Sequence, residues 1–260
     1  MLEFLLISKN NENYFKYIFP ILLNKIKLFE PKFYIYENNS TDNTKNILQT
    51  LSNKNKNIIV KSEDTTIHNN KYKNICIARN KLLDFYRENS INNNKWIILL
   101  DTNIIFNKNS IIELINNSYN GLMIISNTKY YSDNIDFNNK YYYDLLALDY
   151  GKYFKNQINF DNNEENIINV KSGFGGLVLI DRNYILKNNW YLNKKLSYNN
   201  LGNIICEHWD FCHKLNLINS NKNNSNINLI KSSRSLWFMD EYINDNNKNK
   251  NFYKYINKIF

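Results

Sequence analysis

The chain has little of what marks special architectures. Its three cysteines, Cys76, Cys206 and Cys212, make a disulfide framework unexpected and fit a reducing compartment. No stretch reaches the roughly 18 to 20 apolar residues of a membrane span. The opening MLEFLLISKNN lacks a basic segment, and its apolar run from Leu2 to Ile7 is broken by Glu3. It reads as a first strand and not as a signal peptide, so a cytoplasmic protein without a transmembrane segment is expected. Arginine is scarce: four residues in a chain with 33 Lys+Arg. The net charge of +9 is therefore mostly scattered lysine, weak support for a nucleic-acid partner, and none is expected. Glycine is scarce too, and three of the six lie in Ser172-Gly173-Phe174-Gly175-Gly176. No internal repeat and no linker divides the 260 residues, so a single domain spanning 1–260 is expected.

What is present is a core. The apolar fraction of 43%, with 15% aromatic, excludes a wholly disordered chain. Asparagine makes up roughly a fifth of the residues, and with Lys, Ile and Tyr it reports an AT-rich genome rather than a function.

The first half alternates short apolar runs with helical patterns, the signature of βαβ units and a mostly parallel sheet flanked by helices. Residues 4–7, 32–36 (KFYIY), 58–61 and 96–100 (WIILL) read as strands. Residues 13–29 read as a helix interrupted near Pro20, and a second helix runs through about Leu51 with Ser40 or Thr41 as its N-cap. Residues 75–89 form a third helix, with Ala78, Leu82, Leu83 and Phe85 on one face. The second half is less regular. Strands are expected at 121–126, 177–180 and 227–230, a helix at 207–215, an aromatic-rich segment through Tyr150, a loop at 157–169, and polar low-complexity stretches at 219–226 and 242–251.

In an open parallel sheet, ligands sit beyond the carboxyl ends of the strands. Ser8 to Asn10, Glu37 to Asp42, and Asp101-Thr102-Asn103 fall there. Glu37 can accept hydrogen bonds from a ribose or a base, whereas Ser40, Thr41 and Asp42 also suit simple helix capping. Asp101 and Asn103 would point the same way from an extended strand end and offer oxygen ligands to a divalent cation beside a diphosphate; an Asp-initiated turn is the plain alternative. Arg79 and Arg234, in a lysine-dominated chain, suggest a guanidinium fork for phosphate. The glycine cluster lets backbone approach a ligand closely, but no Gly-Lys-Ser/Thr follows, so it is not a nucleotide P-loop. Cys206-Glu207-His208-Trp209-Asp210-Phe211-Cys212-His213 is the densest cluster. Zinc could use His208 and Cys212 on one helix face, though further ligands are poorly spaced. Alternatively Glu207 or Asp210 is a catalytic base with His208 a metal ligand, or the segment is a buried aromatic helix start.

Taken in order, these pieces resemble the GT-A glycosyltransferases, and among them the CAP59-like group that includes fungal capsule α-mannosyltransferases. YIYENNSTDNTKNIL is similar to their second-strand segment. ICIARNKLLDFY followed by WIILLDTNIIF resembles their A-x-x-R-N helix and D-x-D strand end. YYYDLLALD is similar to their tyrosine-aspartate segment and VKSGFGGLVLI to their later small-residue strand. Two departures stand out. Asn103 replaces the second carboxylate of D-x-D, and Cys206-Glu207-His208 differs from the mannosyltransferase pattern, so the sugar does not carry over.

The resemblance implies a Rossmann-like GT-A domain, with a nucleotide-binding half (1–103) and an acceptor-binding half (104–260). It implies glycosyl transfer from a UDP- or GDP-linked sugar to a glycan, glycoprotein or other hydroxyl acceptor, assisted by Mn2+ or Mg2+. Ser8, Asn10, Glu37, Asp42, Arg79, Asp101, Thr102 and Arg234 would bind the donor. Gly175 and Gly176 would form a sugar or acceptor loop; Asp101, Asn103 and His208 would hold the metal; Glu207 or Asp210 would be catalytic. Two alternatives stay open. One is a sugar nucleotidyltransferase, although its glycine-rich first loop is replaced by Ser8-Lys9-Asn10-Asn11. The other is a basic nucleic-acid-binding module, favoured by the pI near 9.2 and twenty tyrosines.

Overall fold

The computed structural model describes residues 1–131, 164–192, 206–218 and 226–238, together with Tyr142, Ala147, Leu148, Phe160, Ile243, Phe252 and Tyr253. Most of the tyrosine-aspartate segment and most of the two low-complexity stretches lie outside the described residues. The strands are β1 (Leu2–Ser8), β2 (Pro31–Asn38), β3 (Ile58–Glu63), β4 (Trp96–Leu100), β5 (Ile104–Phe106), β6 (Met123–Tyr130), β7 (Ile167–Asn169), β8 (Leu177–Asp181) and β9 (Ile227–Trp237). The α-helices are α1 (Phe19–Ile26), α2 (Thr44–Lys54), α3 (Lys71–Asn89), α4 (Lys108–Asn116), α5 (Arg182–Lys187) and α6 (His208–Leu217).

All these strands join one sheet, in the order β3-β2-β1-β4-β8-β6-β9-β5, with β7 also on β9. The first four are mutually parallel. β8 enters antiparallel between β4 and β6, and β6 and β9 run parallel to each other and with the first four. Only β5, β7 and β8 run the other way, so the sheet is mostly parallel as expected. Being covered on both faces, its strands are near-continuous apolar runs. Alternation then sorts the side chains. Phe4, Leu6, Phe33, Ile35, Ile98 and Leu100 pack with α1, α2 and α4 on one face. Leu5, Tyr34, Tyr36, Ile97 and Leu99 pack with α3, α5 and α6 on the other.

Several local expectations change. The helix expected over 13–29 is a π-turn (Tyr14–Ile18), then α1, then a 3-10 turn (Lys27–Phe29); Pro20, lacking an N–H, sits in the first turn of α1. The N-cap of α2 is Asn43 and not Ser40 or Thr41: Ser40 Oγ accepts the Asn10 amide and the Thr41 amide donates to Asn10 Oδ1. α3 begins at Lys71, where Asn70 Oδ1 caps the Lys73 amide. The expected loop at 157–169 contains β7, and β9 is eleven residues long because it pairs along β6, β5 and β7. The strand β5 and the helices α4 and α5 were not anticipated.

Candidate active site

The carboxyl ends of β1, β2, β3 and β4 meet the start of α3, the start of α6 and the end of β9 around a cleft of about 690 Å3. Of the residues singled out from the sequence, Ser8, Asn10, Arg79, Asp101, Thr102, Asn103, Glu207 and His208 line it.

Arg79 is the hub. It projects from α3, buried, with its guanidinium carbon 4.6 Å from the Phe174 ring centroid and 5.6 Å from that of Trp190. Nη2 donates to Asp101 Oδ1 at 3.2 Å, and Nε lies 3.6 Å from Glu207 Oε1, beyond hydrogen-bond length. Burial by itself would lower the Arg79 pKa, but Asp101 and Glu207 outweigh it and hold the group above its ordinary value. Glu207, at the N-cap of α6, is pushed up by burial more than Arg79 pulls it down.

His208 stacks on Phe174, with ring centroids 4.1 Å apart. Its Nδ1 accepts the Trp190 indole N–H at 3.3 Å. Its Nε2 faces both Glu207 Oε1 and Arg79 Nη2, each at 3.3 Å. Burial, reinforced by Arg79, lowers the His208 pKa well below 6.5 and keeps the ring neutral.

The expected cation ligands do not fit a divalent ion held by the protein. Both ring nitrogens of His208 already face protein partners, Trp190 at Nδ1 and Arg79 with Glu207 at Nε2, and Glu207 and Asp101 both face the Arg79 guanidinium. β4 ends at Leu100, and Asn103 turns through a left-handed conformation (φ 65°), so Asp101 and Asn103 do not share an extended strand end. Among the described residues no group of three or more His, Cys, Asp and Glu side chains is placed to hold a metal ion. The zinc alternative meets the same obstacle, and Cys206 and Cys212 are buried thiols outside any disulfide.

Other expected site residues serve the scaffold. Glu37 is buried and points inward, taking the Ser40 amide at 3.0 Å on Oε1 and the Ser62 hydroxyl on Oε2. Asp42 staples loops: its Oδ2 takes the Glu12 amide and its Oδ1 the Thr44 amide. Asp210 is buried and pairs with Lys214 at 2.6 Å. Arg234 lies on β9 with an exposed side chain and a carbonyl that accepts from Ser110. None of the four lines the cleft. Gly175 and Gly176 have φ of 63° and 73°, which L-residues rarely adopt, but they approach protein and not ligand. A Cβ at Gly176 would lie 2.7 Å from Ile104, and the Gly176 carbonyl holds the Asp101 amide at 2.8 Å. The motif's contribution is to seat Asp101 and to present Phe174 beneath Arg79 and His208.

Lys9, Asn38 and Asn39, which lie within the strand-end stretches marked from the sequence, also line the cleft; sequence reasoning missed Thr65 and Lys71. The rule about strand ends would have found Thr65 had it been applied after β3. Asn39 grips that segment, accepting from the Thr65 amide and hydroxyl and donating to its carbonyl at 3.0 Å.

No family model matches the chain, and no curated protein matches it by sequence. Solved structures do match it in fold. Mannosyltransferase PcManGT from Pyrobaculum calidifontis, in complex with GDP-Man and Mn2+, superposes with a TM-score of 0.51 at 8% identity, over 90% of this chain and 56% of that one. S. aureus TarS 1-349 in complex with UDP gives 0.52 at 12% identity, over 98% and 62%. GalNAc-T7 with UDP, GalNAc and Mn2+ gives 0.53 at 10% identity, over 92% and 44%. This chain therefore spans less than two thirds of the length of each. The fold is that of the GT-A glycosyltransferases; membership of the CAP59-like group finds no match among them. No helix among the described residues is long and apolar enough to cross a membrane.

Proposed function

We propose that the chain transfers a glycosyl group from a nucleoside-diphosphate sugar to a hydroxyl of a glycan, glycoprotein or similar acceptor. The observation that carries this reading is unfinished hydrogen bonding at the cleft. Ser8 Oγ, Arg79 Nε and Asn103 Oδ1 are buried without hydrogen-bond partners, and all three residues line the cleft at the strand ends of a GT-A sheet. Buried polar atoms are almost always satisfied, so such a group calls for a polar ligand. Structures of similar fold were solved with GDP-Man, with UDP, and with UDP and GalNAc, which supports a UDP- or GDP-linked donor.

In this reading residues 1–103 supply the nucleotide half and 104–260 the acceptor half. The bond from the anomeric carbon to the diphosphate oxygen breaks, and a bond from that carbon to the acceptor oxygen forms. Arg79 faces the leaving diphosphate. Glu207, the cleft carboxylate whose pKa burial has raised, takes the acceptor proton. Asp101 orients Arg79, and Asp210 pairs with Lys214 within α6. Three cysteines, none in a disulfide, suit the reducing cytoplasm. A thermal-shift screen of UDP-, GDP- and CDP-sugars tests the proposal: stabilisation by one nucleotide class, followed by release of that nucleoside diphosphate on adding an acceptor, is expected. No stabilisation by any of them overturns it.

A further inference from the structure

The charges on the cleft wall do not match a site built around a divalent ion. Three cations line it, Lys9, Lys71 and Arg79, against two carboxylates, Asp101 and Glu207. Both carboxylates are turned to Arg79. Lys9 and Lys71 make no ion pair with any described residue, whereas Lys61, Lys81 and Lys214 are each matched to a carboxylate. A hard divalent ion takes six or more oxygen ligands, usually with one or two carboxylates leading. Here Glu207 and His208 are committed to each other and to Arg79.

We propose that the diphosphate of the donor is neutralised by the chain's own cations, Lys9 and Lys71 acting with Arg79, in the place a divalent ion would take. This rests on the reading of the cleft as a nucleotide-sugar site. Lys71 is the first residue of the nineteen-residue α3, and Tyr72, Asn74 and Ile75 of the same helical start also line the cleft. The positive end of the helix dipole therefore adds to the ammonium charge where the phosphates would lie. Lys9 approaches from the loop after β1, across the cleft wall from α3. That loop is held by Asn10, whose amide and side chain are tied to Ser40 and Thr41. Arg79 supplies the third charge from below, and its buried Nε lacks a hydrogen-bond partner. All three are cationic side chains of the chain itself, so neutralisation needs no metal to be recruited.

The test is calorimetric titration of UDP, GDP and CDP into the full chain, first in excess EDTA and then in millimolar Mn2+. The nucleotide that binds is expected to do so equally well in both, within about twofold. The Lys9→Ala/Lys71→Ala double variant is expected to bind it about tenfold to a hundredfold more weakly in EDTA, the loss of one or two charge-assisted hydrogen bonds. Both side chains are exposed, so the variant should melt as the parent does, and Lys9→Arg/Lys71→Arg should restore most of the affinity. Wild-type binding that appears only with Mn2+ overturns the inference and leaves the nucleotide site standing. Undiminished binding by the double alanine variant in EDTA also overturns it. Failure of all three nucleotides in both conditions overturns the nucleotide-sugar reading itself.

Discussion

Two buried carboxyl groups sit at opposite ends of the parallel strands, and they are treated differently. Glu3, near the start of β1, is buried and met on several sides: the Tyr86 hydroxyl donates at 2.6 Å, the Tyr34 hydroxyl at 3.2 Å and the Ser90 hydroxyl at 3.2 Å. Arg182 in turn donates to the Tyr86 oxygen at 3.1 Å. Glu207, at the carboxyl ends, is buried too, but its ion pair with Arg79 is long and Arg79 Nε is left without a hydrogen bond. The first network is closed and holds the sheet to α3. The second is open on one side, which stability by itself would disfavour because an unsatisfied buried donor costs about 1 to 3 kcal/mol. A closed network marks scaffold; an open one beside a cleft marks a place kept for a ligand.

The largest expected effect breaks the closed side. Glu3→Ala deprives two buried tyrosine hydroxyls and the half-buried Ser90 hydroxyl of an acceptor and should cost about 3 kcal/mol or more of unfolding free energy. Nucleotide affinity per folded molecule should not change; chemical denaturation and titration calorimetry check the two halves. A loss of affinity matching the loss of stability would dissolve the contrast.

On the open side, Glu207→Gln should lower turnover by about a hundredfold, the lower range for a general base, with nucleotide affinity nearly intact. Single-turnover kinetics measure it. The wild-type rate should rise with pH through an acid limb above 4.5, because burial raises the Glu207 pKa and the base must be deprotonated. That limb should vanish in the variant.

Arg79→Lys keeps the charge but loses the fork that faces Asp101 and Glu207 together. A fall of about tenfold in nucleotide affinity is expected, with a smaller change in melting temperature. An unchanged affinity would make Arg79 scaffold, like Arg182.

The smallest effect is in pH dependence. His208 is held neutral when folded, while the unfolded ring takes a proton below about 6.5. Its contribution to stability is therefore complete above that pH and is lost as pH falls below it, by at most about 1.4 kcal/mol per pH unit. Glu207 acts in the opposite sense, since its raised pKa eases its burial penalty on acidification. His208→Asn should flatten the acid side of a stability–pH curve; an unaltered slope would mean that His208 does not titrate on unfolding.

Much of the architecture was open to reading because burial on two faces leaves a local imprint. KFYIY and WIILL must be apolar throughout to be central parallel strands, and they are. The rule that ligands lie beyond strand ends led to Ser8, Asn10 and Asp101, and an arginine among lysines led to Arg79. Short elements such as β5, β7 and α5 left no comparable trace, since three to six residues carry too little periodicity.

Side-chain direction was a different matter. The sequence determined that an acid would stand at the end of β2, at Glu37, but only its contacts with Ser40 and Ser62 turn it into the protein. It determined a histidine beside a glutamate at the start of α6. Only the Trp190 indole, eighteen residues earlier, and Arg79, from α3, decided what its two ring nitrogens face. It determined three glycines in a row of five; only the fold decided that Asp101 and Ile104, rather than a ligand, fill the space beside Gly176. Periodicity and strand ends are local properties that backbone sterics and burial write into neighbouring residues. Hydrogen-bond partners are set by chain segments distant in sequence, brought together only when the sheet and its helices close.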